Sequence, residues 1–319
     1  MFVVCGEALF DVFLEDGSKP SDTTLHFEAR AGGSPFNVAI GLARLNCPVA
    51  MLTGLSSDFL GDRLLAVLES EQISSQYITR KQAPTTLGFV QHGADGVPAY
   101  AFYGNGAADR VLESQDVQQF DLSQISGLHL GSYSLVVNSA SQAYVQLIKH
   151  YSGKKLISID PNIRLNVEPN KAIWRERVAE LLPLVDMVKV SDEDLGLLYP
   201  DQDPEIIMQE WLGKGLKLLV LTRGGKGATL WSQQARFDVA APNITVIDTV
   251  GAGDTFQAAL IDSALTLREV HQDAWDKQLT AATLQRIGRF AATAAAITCS
   301  RRGADLPKRS EIEAQLLAS

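Results

Sequence analysis

The chain has 319 residues, 46% of them hydrophobic, which is ample for a buried core and long enough for one large α/β domain or two ordinary ones. A formal net charge of −9 repels nucleic acid and anionic membrane outside a local basic patch, so neither is expected as a main partner. The three cysteines, Cys5, Cys47 and Cys299, are too few for a disulfide framework and too far apart for a C-x-x-C site, which fits a reducing cytoplasm.

From the N-terminus, residues 2–14 and 25–29 read as strands, with helices over 34–45 and 60–70 and further strands at 87–91 and 99–103. From the middle onward, strands at 127–130, 156–160, 185–190 and 216–222 alternate with helices at 139–151, 172–182 and 204–212. That order predicts a doubly wound, mostly parallel sheet flanked by helices. Ligands gather beyond the carboxyl ends of such strands, where the polar runs Asp160-Pro161-Asn162, Ser191-Asp192 and Thr222-Arg223-Gly224-Gly225 stand. The alanine-rich stretch 291–297 has Arg286, Arg289, Arg301 and Arg302 close by and reads as a buried helix. No apolar run approaches the roughly 20 residues that span a bilayer. Met1 leads straight into an apolar strand with no basic region or cleavage site, so the chain reads as unexported. With no repeat, low-complexity tract or linker, one domain over 1–319 is expected.

The chemistry concentrates in Asp248-Thr249-Val250-Gly251-Ala252-Gly253-Asp254-Thr255-Phe256. Phe256, Leu260, Ala264 and Leu267 follow at helical spacing, which puts the amides of Gly251, Ala252 and Gly253 at the positive end of a helix, a place to hold an anion. Asp254, in the first turn, either caps that helix or takes a proton from a hydroxyl aimed at a bound phosphate. No G-x-x-x-x-G-K-[ST] run occurs, which excludes a P-loop reading, and the five histidines form no H-x-x-x-H pair for zinc. A nicotinamide dehydrogenase is also disfavoured, because its glycine fingerprint follows the first strand whereas G-A-G-D comes late.

The D-T-V-G-A-G-D-T-F run resembles the C-terminal signature of the ribokinase-like (PfkB) carbohydrate kinases, and Gly32-Gly33-Ser34-Pro35-Phe36-Asn37 through Leu45 resembles their N-terminal one. Family-like segments from Gly6 to Gly303 extend the resemblance over nearly the whole chain. It implies the ribokinase-like fold, with a small β-sheet lid from segments near 11–30 and 86–106 that covers the sugar and pairs with a second subunit as a homodimer. It implies ATP and Mg²⁺ as cofactors. Asp254 would be the base, with the amides of Gly251, Ala252 and Gly253 and the guanidinium of Arg164 neutralising the transferred phosphoryl group. Asp11, Gly33, Asn37, Tyr103, Arg164 and Asp254 would contact the sugar. ATP would be lined by Ser191, Thr222, Gly224, Gly227, Gly251 and Gly253. Asp194 would organise Mg²⁺ through water, and Asp248 and Gly303 would mark a K⁺ site. Two departures stand out: Ser191 and Asp194 replace the amide and glutamate of the family's N-x-x-E, and Gly104 stands where many relatives carry arginine. The sequence is most similar to fructokinases. A 2-keto-3-deoxygluconate kinase, a ribokinase or nucleoside kinase, and an inactive sugar-binding sensor are the alternatives.

Overall fold

In chain order the first half contains β1 (Phe2–Cys5), β2 (Leu9–Leu14), β3 (Phe27–Gly32), α1 (Ser34–Arg44), β4 (Val49–Ser56), α2 (Phe59–Ser70), β5 (Ser74–Lys81), β6 (Leu87–His92), β7 (Pro98–Tyr103), α3 (Ser114–Gln118), β8 (Gly127–Gly131) and α4 (Asn138–Tyr151). The second half contains β9 (Leu156–Asp160), α5 (Lys171–Leu181), β10 (Met187–Ser191), α6 (Asp192–Leu198), α7 (Pro204–Leu212), β11 (Leu218–Thr222), β12 (Ala228–Trp231), β13 (Arg236–Val239), α8 (Ala252–His271), α9 (Ala281–Cys299) and α10 (Arg309–Ala318). The structure, a computed structural model, describes residues 1–14, 23–92 and 98–318. Parts of the expected segments 11–30 and 86–106 therefore lie outside the described residues.

Among the described residues, nine strands form one sheet in the order β13-β12-β11-β10-β9-β8-β1-β4-β5. Strands from β11 to β5 in that order run parallel, while β12 and β13 return antiparallel. β1, β4, β8 and β9 are buried along their whole length, as parallel strands covered on both faces must be. Side chains alternate between two cores. Phe2 and Val4 join Phe36, Phe256 and Leu284 of α1, α8 and α9, while Val3 and Cys5 join Tyr144, Trp174 and Leu195 of α4, α5 and α6. The strand order reverses between β1 and β8, so the loops after these two strands diverge and leave a crevice at the carboxyl edge.

Residues 2–14, predicted as one strand, belong to two sheets. Gly6 adopts φ 139°, and a Cβ there would lie 2.5 Å from Pro35 Cγ, so the chain turns at a position only glycine fills. β2 then enters a second sheet of order β3-β2-β6-β7, in which β2 and β6 are parallel and the outer pairs antiparallel. No helix among the described residues is long and apolar enough to cross a membrane.

Candidate active site

A cleft of about 1040 Å³ opens at the carboxyl edge, lined from the large sheet, from β2 and β3 of the small one, and from the start of α8. α8 begins at Gly251, whose φ of 78° and whose approach to Ala304, 2.7 Å from where a Cβ would sit, both require glycine. Its carbonyl accepts from the N–H and the hydroxyl of Thr255, each at 2.8 Å, and that hydroxyl also meets Thr298 Oγ1 at 2.8 Å. The turn is thus fixed from behind. The Ala252 N–H bends back to the Thr249 carbonyl at 3.2 Å, and Ala252 does not line the cleft. The amides of Gly251 and Gly253, which do line it, have no hydrogen-bond partner among the described residues. The anion-holding element is narrower than the three expected amides.

Asp254 stands at the mouth of this turn, 9% exposed and lining the cleft. Ser34 Oγ donates to its Oδ1 at 2.6 Å and Asn37 Nδ2 to its Oδ2 at 2.8 Å, both from the first turn of α1. Burial pushes the Asp254 carboxyl above the usual carboxylate range, opposed by those two bonds and by the charges of Lys189 and Arg164. The result is a fixed carboxylate with raised basicity beside the amides of Gly251 and Gly253, an arrangement able to deprotonate an alcohol while an anion is held next to it. Asn37 lines the cleft as expected, yet its amide nitrogen serves Asp254.

Asp11, on β2, also lines the cleft; burial pushes its carboxyl up to about 6, with Arg164 lowering it and Asp254 raising it further. Arg164 and Gly33 also line the cleft, and the Arg164 Nη1 donates to the Ile163 carbonyl at 3.1 Å. Asp194 holds this loop in place: its Oδ1 accepts from Ile163 N at 2.8 Å and its Oδ2 from Ser191 Oγ at 2.7 Å. Both oxygens are engaged by the protein, and no cluster of three or more His, Cys, Asp or Glu side chains suited to a metal occurs among the described residues. Thr222 lies beside Ser191 in register, so the loop carrying Gly224 and Gly227 adjoins the cleft without forming its wall. Asp248 and Gly303 are brought together directly, the Gly303 N–H donating to Asp248 Oδ2 at 2.8 Å.

The structure places one expected contact elsewhere. Tyr103 is 67% exposed and packs edge-on against Phe89, whereas its neighbour Phe102 lines the cleft. Successive strand residues point to opposite faces, so an assignment off by one residue changes the side. Three further groups were not singled out from sequence. Ser34 sits inside the G-G-S-P-F-N run. Glu7 is 1% exposed, lines the cleft and accepts from Ser134 Oγ, and burial pushes its carboxyl up to about 7. Lys189 pairs with Asp160 at 2.6 Å, and its Nζ lies 3.5 Å from where a Cβ on Gly253 would be. A lone lysine in the apolar strand V-K-V was the available signal, since a buried charge implies a partner.

With this geometry in view, the relationships of the chain are consistent along its length. Residues 1–311 match the pfkB family carbohydrate kinases, and the chain belongs to that family. It is a sugar kinase of the ribokinase-like fold. It is 35% identical to a fructokinase from Rhizobium leguminosarum bv. trifolii over 278 residues, covering 85% of this chain and 83% of that protein. A fructokinase from Xylella fastidiosa, solved with bound ATP, superposes with a TM-score of 0.86 at 26% identity over 100% of this chain and 99% of that one. A fructokinase double mutant from Vibrio cholerae O395, solved with fructose, ADP and potassium ion, superposes with a TM-score of 0.84 at 26% identity over 98% and 97% of the two chains.

Proposed function

We propose that this sugar kinase transfers the γ-phosphoryl group of ATP to a primary hydroxyl of fructose, with Asp254 as the base. The observation that carries the reading is the Asp254 carboxylate, fixed by Ser34 and Asn37 beside the amides of Gly251 and Gly253, which have no partner among the described residues. Asp254 takes the hydroxyl proton, the alkoxide oxygen attacks the γ-phosphorus in line, and the bond to the bridging oxygen breaks, leaving ADP. The two amides and Arg164 hold the charge that develops on the phosphoryl oxygens. Mg²⁺, bound with ATP, supplies further charge neutralisation; Asp194 and the adjacent cleft residue Glu193 would face its water shell. Thr222, Gly224 and Gly227 would border the nucleotide, with Ser191 beside them.

A neutral ketose suits the sugar end better than an acid sugar, because Glu7, Asp11 and Asp254 all present carboxyl groups there. This weighs against 2-keto-3-deoxygluconate. The small sheet would act as a lid over the sugar, excluding water during transfer. Its exposed apolar residues Phe27 and Tyr103, with Leu25 just before β3, support a homodimer formed through that sheet, and light scattering at micromolar protein would reveal it. The Asp248 and Gly303 loops support a K⁺ site like that of the potassium-bound relative, and replacing K⁺ by Na⁺ should then lower kcat. Three unpaired thiols fit a cytoplasmic setting.

The test is a panel of fructose, ribose, 2-keto-3-deoxygluconate and nucleosides with ATP and Mg²⁺. Fructose should give the highest kcat/KM. A higher value for any other acceptor would overturn the substrate, and ADP release from none of them would favour the inactive sensor.

A further inference from the structure

Arg110 is 5% exposed, yet its Nε and Nη2 are buried without a hydrogen-bond partner among the described residues. A guanidinium cannot shed its charge to escape this, so the arrangement is costly unless an acceptor comes to it. The neighbouring Asp109 attracts it through space but does not accept from it: Asp109 Oδ1 accepts from Thr86 Oγ1 at 2.6 Å and its Oδ2 from Tyr133 OH at 2.8 Å. What Arg110 does touch is the wall of the cleft. Its Cζ lies 4.7 Å from the centroid of the Tyr133 ring, and Tyr133 lines the cleft together with Phe102, whose ring meets it edge-on at 6.1 Å. On another side the guanidinium rests against Gly104, just beyond the end of β7, where a Cβ would come within 2.5 Å of Cζ. Glycine at 104 leaves the space this group occupies.

We propose that Arg110 is a specificity-determining residue, turning past Gly104 to donate from Nε and Nη2 to oxygens of the sugar at the end remote from the transferred phosphoryl group. The proposal rests on the sugar-kinase reading of the cleft. With Glu7 on the same wall, the oxygens it meets are hydroxyls of an uncharged sugar rather than a carboxylate. The neighbouring rings of Tyr133 and Phe102 give the apolar face of the sugar a surface to lie on.

Arg110→Met keeps the stem and its packing on Tyr133 but removes the donors. Wild-type enzyme is first assayed with fructose, ATP and Mg²⁺; no turnover with any acceptor there would count against the cleft reading itself. With wild-type turnover in hand, Arg110→Met should raise KM for fructose about 10- to 100-fold, as loss of charged hydrogen bonds does, with KM for ATP changed less than about twofold. It should also lose the preference for fructose over an analogue deoxygenated at the end opposite the accepted phosphoryl group. Unchanged KM for fructose and unchanged preference in a folded variant would overturn the proposal and leave Arg110 a packing residue. If Arg110→Met does not fold, Gly104→Ala decides the matter by displacing the guanidinium without removing it: a selective rise in KM for fructose supports the proposal, and wild-type KM contradicts it.

Discussion

Asp254, Asp11 and Glu7 share one physical circumstance, a buried or half-buried carboxyl group at a cleft with fewer cations than acids beside it. In the proposed mechanism the ionised form of Asp254 and Asp11 is the working one, as proton acceptor and as hydroxyl acceptor. Because burial raises the Asp254 carboxyl and pushes Asp11 to about 6, kcat/KM should fall as pH drops through about 6, and a pH profile with fructose measures it. Glu7 gives the complementary signature in stability. Its folded value of about 7 exceeds its ordinary 4.5, so the group favours the folded state below about pH 4.5 and loses that contribution as pH rises through 7. Glu7→Gln, neutral throughout, should therefore melt above the wild type at pH 8 and converge with it near pH 4.5. Ser34→Ala tests the positioning of the base: it removes one of the two donors to Asp254, and kcat should drop while KM for ATP stays near wild type.

The elements that carry these residues were legible in unequal measure. The start of α8 could be read from G-A-G-D followed by helical apolar spacing, and α1 from G-G-S-P before a similar run. Their meeting could not, because the bonds from Ser34 and Asn37 to Asp254 join residues more than 200 positions apart and leave no local pattern. β5 was missed because its half-buried edge position gives it a polar composition, Ser-Ser-Gln-Tyr-Ile-Thr-Arg-Lys. β4 was missed although wholly buried, its run broken only by Thr53 and Gly54. The split at Gly6 was hidden because apolar residues continue on both sides of the turn. At Gly251 the same turn geometry yields a stability test. Gly251→Ala forces a side chain into φ 78° and toward Ala304, so it should destabilise by about 1–3 kcal/mol in denaturant unfolding and lower kcat with it.

Across the whole molecule, two apolar cores hold the large sheet between helical layers, and the cleft lies where strand order reverses between β1 and β8. Trp174 anchors the core opposite α8, fully buried, with its indole nitrogen donating to the Glu168 carbonyl at 2.9 Å. Trp174→Ala should therefore cost about 3–5 kcal/mol of folding stability, read by denaturant unfolding. The central claim is the role of Asp254, and turnover of Asp254→Asn with fructose, ATP and Mg²⁺ tests it most directly, with thermal unfolding confirming the fold. The amide keeps the shape but cannot take the proton, so kcat should fall by about 10²–10⁴-fold in a variant that melts no lower than the wild type. A folded Asp254→Asn enzyme with wild-type kcat would contradict it.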